Sequence, residues 1–348
     1  MNRKPFLQIV IFLALISLLL ANCSLPRVSI DLATPTSTAT LLPSTPITPT
    51  ATTPPPFPTA ELGLAENPLI LALPPGANSQ AQIDAAKVIA SQFTERTGYV
   101  VVTVIPDSYA SLVESLENGN AHIALLDPYA YELAYQKGLV HASYAVLKEG
   151  EGKYGAQFLA SRRGGFTSYF DEGTEENVDE ASVALAQFAD KKPCWSDETS
   201  PSGYVIPLGY LNEHQIVTRP AAFVGGHPTV VRSLYASGIC DFGGTYIDAR
   251  KFPSLEDEFP DLIEQVIVVW QIPAIIPYEV LAFSSAMPQG MSELFAGLIP
   301  AILQTQAGKA AFKTAYDVDE LEAVNDGYYA DFRLYLYASG VDLTTLVK

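Results

Sequence analysis

Three short stretches carry residue types that could hold a small anion. Ser200-Pro201-Ser202-Gly203 sets two hydroxyls beside the start of a helix-like segment. Backbone N–H groups at a helix start are unpaired and carry the positive end of the helix dipole, so this turn suits phosphate, phosphonate or a similar oxyanion. Gly225-Gly226-His227-Pro228 pairs two glycines, which permit close backbone approach, with a histidine at a second helix start. Asp127-Pro128-Tyr129-Ala130-Tyr131 offers an N-cap, a proline at the first helical position and two tyrosines. Each also has a plainer structural role: an ordinary cap for the serine turn, a capping or packed imidazole for His227, core packing for the tyrosines.

The elements that must position these residues follow from the apolar pattern. "PLILALPP" (68–75) and "YVVVTVI" (99–105) read as strands, and "SQAQIDAAKVIASQFTERTG" (79–98) as a helix with Ile83, Ala86, Ile89, Ala90 and Phe93 on one face. Tyr109 to Glu117 is predicted helical, 121–127 a buried strand, and Pro128 opens the next helix. Alternating strands and helices with short connections imply a parallel sheet covered by helices, and such sheets bind ligands at the carboxyl ends of their strands. The acidic stretch 169–190 reads as a solvated loop with one amphipathic helix. A second α/β unit follows in 206–216 (helix), 221–226 (strand), 228–238 (helix) and 239–248 (strand). "LIEQVIVVWQIP" and "PYEVLAFSS" supply two more strands, and the remainder reads as helical through Tyr337. We therefore expect α/β architecture in two lobes joined by two crossings: 62–160 for the first part of lobe 1, 161–280 for lobe 2, and 281–348 for the completion of lobe 1 and the C-terminal helices.

The N-terminus sets the compartment. Arg3 and Lys4 precede an apolar run from Phe6 to Ala21 that is short for a membrane span and reads as an export signal over 1–22. The run ends in Leu20-Ala21-Asn22-Cys23, which resembles the bacterial lipobox, with Cys23 as the lipid-modified first residue and Asn22 as a departure from its usual small residue. An uncleaved anchor helix is the alternative. Residues 23–61 are expected to form the anchor and a tether, because 20 of the 28 residues from Ala33 to Ala60 are Thr, Ser or Pro and none is charged.

The chain carries 20 basic and 38 acidic residues, a net charge of −18. Removing Arg3 and Lys4 with the signal makes it −20, so nucleic acid and anionic membrane are poor partners, and contact with a membrane is expected only through the lipid. Neutral donors and helix starts can still hold an anion locally. The four histidines are scattered and no C-x-x-C is present, so neither a metal site nor a cofactor is expected. In an oxidising compartment the remaining pair, Cys194 and Cys240, is expected to be bridged. No G-x-S-x-G, H-E-x-x-H or P-loop is present, which argues against a hydrolase.

Taken in order, "YASLVESLENGNAHIALLDPYAYELA" (109–134), "SPSGYVIPLGYL" (200–211), "GGHPTVVRSLYASGICDFGGTYIDAR" (225–250), "IPYEVLAFSS" (276–285) and "DGYYADFRLYLYASG" (326–340) resemble the phosphate/phosphite/phosphonate substrate-binding proteins of ABC transporters, over nearly all of 67–340. The resemblance implies a type II periplasmic-binding-protein fold that closes on a small oxyanion, acts as a monomer and hands its ligand to a permease and its ATPase. It places pocket tyrosines at Tyr109 and Tyr131, the anion turn at Ser200, Ser202 and Gly203, the pocket histidine at His227, and acidic residues for an amine-bearing ligand at Asp248 and Glu279. It also gives Cys194 and Cys240 a meeting point within lobe 2. Pro201, which replaces a hydroxyl residue and removes an N–H, and Asp127, which stands where the family often has glycine, depart from the pattern. Sulfonate or carboxylate therefore stays open as the ligand, and sensing stays open as the role.

Overall fold

The computed structural model describes residues 61–77 and 79–348; the signal, Cys23 and the Thr/Pro-rich tether lie outside the described residues. From the N-terminal side the elements are β1 (Leu69–Ala72), α1 (Gln80–Thr97), β2 (Val101–Val104), α2 (Tyr109–Glu117), β3 (Ile123–Leu126), α3 (Pro128–Gln136), β4 (Val140–Leu147) and β5 (Lys153–Ser161). A hairpin of β6 (Phe170–Asp171) and β7 (Glu176–Asn177) leads to α4 (Ala181–Leu185) and β8 (Pro193–Trp195). Then come α5 (Ile206–Glu213), which is entered through a widened helical turn Pro201–Val205, β9 (Ala222–Phe223), α6 (His227–Ala236) and β10 (Phe242–Tyr246). The chain continues as α7 (Pro253–Glu258), α8 (Leu262–Gln265), β11 (Val266–Pro277), β12 (Val280–Ser284), α9 (Gln289–Leu303), α10 (Gln306–Tyr316), β13 (Glu320–Ala323), α11 (Ala330–Ala338) and α12 (Leu343–Leu346). β13 is a short edge strand within the stretch read from sequence as wholly helical.

Local chemistry explains the boundaries. Ser79 caps α1 by accepting from the Gln82 N–H, the Gln82 side chain returns the bond, and Gly98 ends the helix in the left-handed region at φ 78°. Asp127 caps α3 by accepting from the Ala130 N–H at 2.7 Å, with Pro128 at the first helical position where no N–H is needed.

Two sheets, each flanked by helices, carry the fold. Their strand orders are β13-β4-β12-β3-β1-β2 and β11-β5-β10-β8-β9. Within each sheet the first three local strands are parallel, and one strand arriving from the other half, β12 or β5, inserts antiparallel between the third and the fourth. Both halves thus read second-first-third-incoming-fourth, the type II periplasmic-binding-protein arrangement expected above. The incoming strands are also the crossings, with the chain passing between sheets from β4 to β5 and from β11 to β12.

Three apolar cores result. One lies under α1, α9 and α10 against the first sheet, and one under α6 and α7 against the second. The third runs through both halves and includes Phe332 and Leu336 of α11. That helix grips α3 through a paired Glu132–Arg333 contact, both bonds 2.8 Å, and grips α5 through Tyr335 stacked 3.7 Å from Tyr210. A Cβ on Gly209 would lie 1.9 Å from the Tyr335 carbonyl oxygen, so only glycine lets α5 approach this closely. The two helices whose starts carry the candidate ligand residues are therefore held by one common element.

Candidate functional site

On the second-sheet side, β8 delivers Ser196, the turn to α5 delivers Ser200 and Ser202, and β9 delivers Gly225 to His227. Ser200 Oγ accepts from the Gly203 N–H at 3.0 Å, so the capping role foreseen as the plainer alternative is real. The same oxygen lies 3.4 Å from His227 Nε2. The Tyr246 N–H donates to His227 Nδ1 at 3.3 Å, which leaves the ring hydrogen on Nε2, pointing at the serine turn. Burial lowers the His227 pKa, against an opposing pull from Asp197, so the ring is a neutral donor.

Close packing fixes this wall. A Cβ on Gly203 would meet Ser196 Oγ at 1.9 Å and His227 Cε1 at 2.8 Å. The Ser196 carbonyl accepts from the N–H groups of Gly225 and Gly226 at 2.7 and 3.0 Å, locking the serine strand-end to the histidine turn. Cys194, two residues earlier, is joined to Cys240 by a disulfide within the same half.

The first-sheet wall is acidic and aromatic. The Tyr109 phenol is raised by burial and then by the charges of Asp127 and Glu279, so these three groups share one neighbourhood. Burial pushes the Asp127 carboxyl up to about 6, with Glu279 adding to the effect and the N–H groups of Ala130 and Tyr129 opposing it. Tyr154, where β5 leaves the crossing, joins the walls. Burial pushes its phenol up to about 12, Tyr278 and Glu279 contribute, and a hydrogen bond from Ser202 works the other way. The Tyr129 phenol is raised by burial and then by Tyr154, Asp127 and Asp197, groups from both halves.

The structure thus brings together Tyr109, Ser200, Ser202, Gly203, His227 and Glu279. Two residues expected from sequence fall elsewhere. Tyr131 is fully buried, donates to Asp326 at 2.6 Å and packs between Tyr135 and Tyr329, within the first half. Tyr129, not Tyr131, is the tyrosine of this turn influenced by Tyr154 and by Asp197 of the other half. Asp248 is engaged by Arg250, at 2.7 Å to Nη2, and by the Gln157 amide at 2.8 Å. Burial alone would raise its pKa, but the Arg250 and Gln157 bonds hold it below the ordinary value. It lines a crevice of 90 Å³ with Gln157, Glu172 and Arg250, none of which belongs to the serine–histidine cluster. Sequence reasoning offered Tyr129 within the 127–131 turn but assigned the pocket role to Tyr131, and it missed Tyr154 and Ser196 as site residues. For Ser196 the available signal was its position directly after the carboxyl end of a buried strand.

Hydroxyls, helix-start N–H groups and an Nε2–H imidazole can together hold an oxyanion. Residues 71–329 match the family model described as "ABC transporter, phosphonate, periplasmic substrate-binding protein". The chain belongs to this family. It is a family of extracytoplasmic solute-binding proteins of transport systems, not of enzymes. Among curated relatives, the chain is 28% identical over 186 residues to the phosphate-import protein PhnD of Mycolicibacterium smegmatis, a match over 50% of this chain and 54% of that protein. It therefore spans about half the length of that relative. Among solved structures it is similar to XAC2383 from Xanthomonas citri bound to ATP, at a TM-score of 0.56 and 13% identity, covering 80% of this chain and 99% of that one. The same protein bound to chloride ion gives 0.55 and 14%, covering 78% and 97%. These structures support the fold alone. Among the described residues, no helix is long and apolar enough to cross a membrane.

Proposed function

We propose that this chain is the solute-binding component of an ABC importer, and that it captures a small phosphorus oxyanion, namely phosphonate, phosphite or phosphate, between its two halves. The observation that carries the reading is the meeting of Ser200 with an Nε2–H His227 at one helix start, with Ser202 beside Tyr154 and with Tyr129 of the first half near Tyr154 and Asp197. Ligand contacts from both walls favour the closed state, and a permease coupled to its ATPase reads that state. Cys23 is the proposed lipid anchor and the Thr/Pro-rich segment the tether, so the folded part works as a monomer at the membrane surface. The match to a phosphate-import protein supports phosphorus over sulfur or carbon as the anion centre.

A thermal-shift panel on the full chain with phosphate, phosphite, methylphosphonate, 2-aminoethylphosphonate, sulfate and taurine tests this reading. A ligand at a hundred times its dissociation constant stabilises by about 2.7 kcal/mol. A shift with a phosphorus compound and none with sulfate or taurine is expected. A response to sulfate or taurine alone would move the assignment to another anion.

A further inference from the structure

Among the described residues, three buried side-chain oxygens have no hydrogen-bond partner: Ser196 Oγ, Tyr129 Oη and Tyr329 Oη. Leaving a buried hydroxyl unpaired costs about 1–3 kcal/mol, so each of the three needs a reason. Tyr329 lies in the aromatic packing of the first half, 4.5 Å from the Tyr131 ring. The other two lie at the cluster described above, one on each wall.

Ser196 is 0% exposed and Tyr129 5% exposed. Ser196 Oγ lies against Gly203 and the edge of the His227 ring, so its free hydroxyl shares the space served by the Ser200 and Nε2 donors. Tyr129 begins α3 one residue after its N1 proline and is electrostatically coupled to Tyr154 and to Asp197 of the opposite wall. The turn between them is short of donors. Pro201 has no N–H, and the Gly203 N–H is already taken by Ser200.

We infer that Ser196 and Tyr129 are direct ligand contacts, one from each half, whose hydroxyls bind two different oxygens of a tetrahedral oxyanion and so make binding and closure one event. The inference rests on the oxyanion reading above and adds to it two residues and a geometry. A tetrahedral anion has oxygens pointing several ways and can satisfy donors converging from opposite walls. A planar carboxylate places both oxygens in one plane and would leave one of these hydroxyls unpaired, so the same pair selects against carboxylates. Hydroxyls also accept, so a ligand oxygen that keeps its proton is equally well served.

The test is calorimetry on the full chain with methylphosphonate, phosphite, phosphate and acetate, for the parent and for Ser196→Ala, Tyr129→Phe and Tyr329→Phe. Each substitution removes only a buried, unpaired hydroxyl, so the unliganded melting temperature should hold or rise in all three. Ser196→Ala and Tyr129→Phe should each weaken the best phosphorus ligand about tenfold or more, while Tyr329→Phe, whose hydroxyl is equally unpaired but lies away from the cluster, should bind like the parent. Parent-like affinity in both Ser196→Ala and Tyr129→Phe would overturn the inference and leave the oxyanion reading standing. Failure of the parent to bind any phosphorus probe would instead overturn the reading itself, and the inference with it. Acetate binding that survives in the parent but not in Ser196→Ala would contradict the tetrahedral selection.

Discussion

The starts of α3 and α5 are built by the same device and do opposite electrostatic work. Each follows a buried strand or its turn, places a capping side chain before the helical turn and puts a proline at the first helical position: Asp127-Pro128-Tyr129 in one case and Ser200-Pro201-Ser202 in the other. At α3 the cap is a carboxylate held in a buried, acidic neighbourhood with Glu279. At α5 the cap is a hydroxyl beside the neutral His227 ring, with Asp197 as the nearby charge. Two proline-led turns therefore supply an anion-attracting wall at α5 and an anion-discriminating wall at α3, and they differ in cap residue, in helical turn and in the charge of Glu279 beside the α3 cap. A fully ionised anion is welcome at α5 and repelled by α3, so the pair favours ligands that bring a proton or a cationic group toward Asp127 and Glu279.

The comparison can be broken most severely at Gly203. In Gly203→Ala the new Cβ would fall on Ser196 Oγ and His227 Cε1. Oxyanion binding measured by calorimetry should be lost altogether, and overpacking should lower stability by about 1–3 kcal/mol. The α5 start also differs in being stapled, since Cys194 to Cys240 closes a loop with a sequence separation of 46 that contains it. Reduction should lower stability by about 2–4 kcal/mol, visible as a lower melting temperature together with two titratable thiols. An unchanged melting curve would mean that the bridge contributes nothing to this half.

Smaller effects sharpen the difference. Ser202→Ala and His227→Ala remove donors to a charged ligand, each worth about 1.5–3 kcal/mol, so affinity should fall roughly ten- to a hundredfold while melting stays near the parent's. Asp127→Asn keeps a capping oxygen but removes the charge. Because the folded carboxyl titrates near 6 and not at its ordinary 3.8, the native state holds the extra proton, and the parent loses stability as pH rises from about 4 to about 6. The variant should be indistinguishable from the parent in acid and more stable above pH 6, with the crossover read from melting curves against pH. A gain that appears only below pH 4 would contradict the assigned environment.

Much of this was legible in the sequence because it is local. The caps at Ser79 and Asp127, the proline-led helices and the alternation of strands with helices all follow from short-range chemistry and periodicity. The exchange of Tyr131 for Tyr129 shows where that reading stops. Two residues apart on a helix are about 200° apart around its axis, so one faces the cleft only if the other faces away. The sequence gives the periodicity but not the rotation of α3 about its axis, which tertiary packing sets through Tyr131 to Asp326 and Glu132 to Arg333. Asp248 was unreadable for a related reason. Its partner Arg250 is only two residues away, but the bends that make them face each other and reach Gln157 belong to the folded loop. Ser196 has no periodic signature; its place after the end of a buried strand was its sequence signal, and the absence of a partner in the fold is what singles it out among such residues.

The most direct test of the account is a crystal structure of the full chain with methylphosphonate. The account predicts the phosphonate at the start of α5, with its oxygens within hydrogen-bond reach of Ser200, Ser202 and His227 Nε2 and closed over by Tyr129. A phosphonate bound instead in the crevice beside Arg250 and Gln157, with the serine–histidine wall facing only solvent, would contradict it.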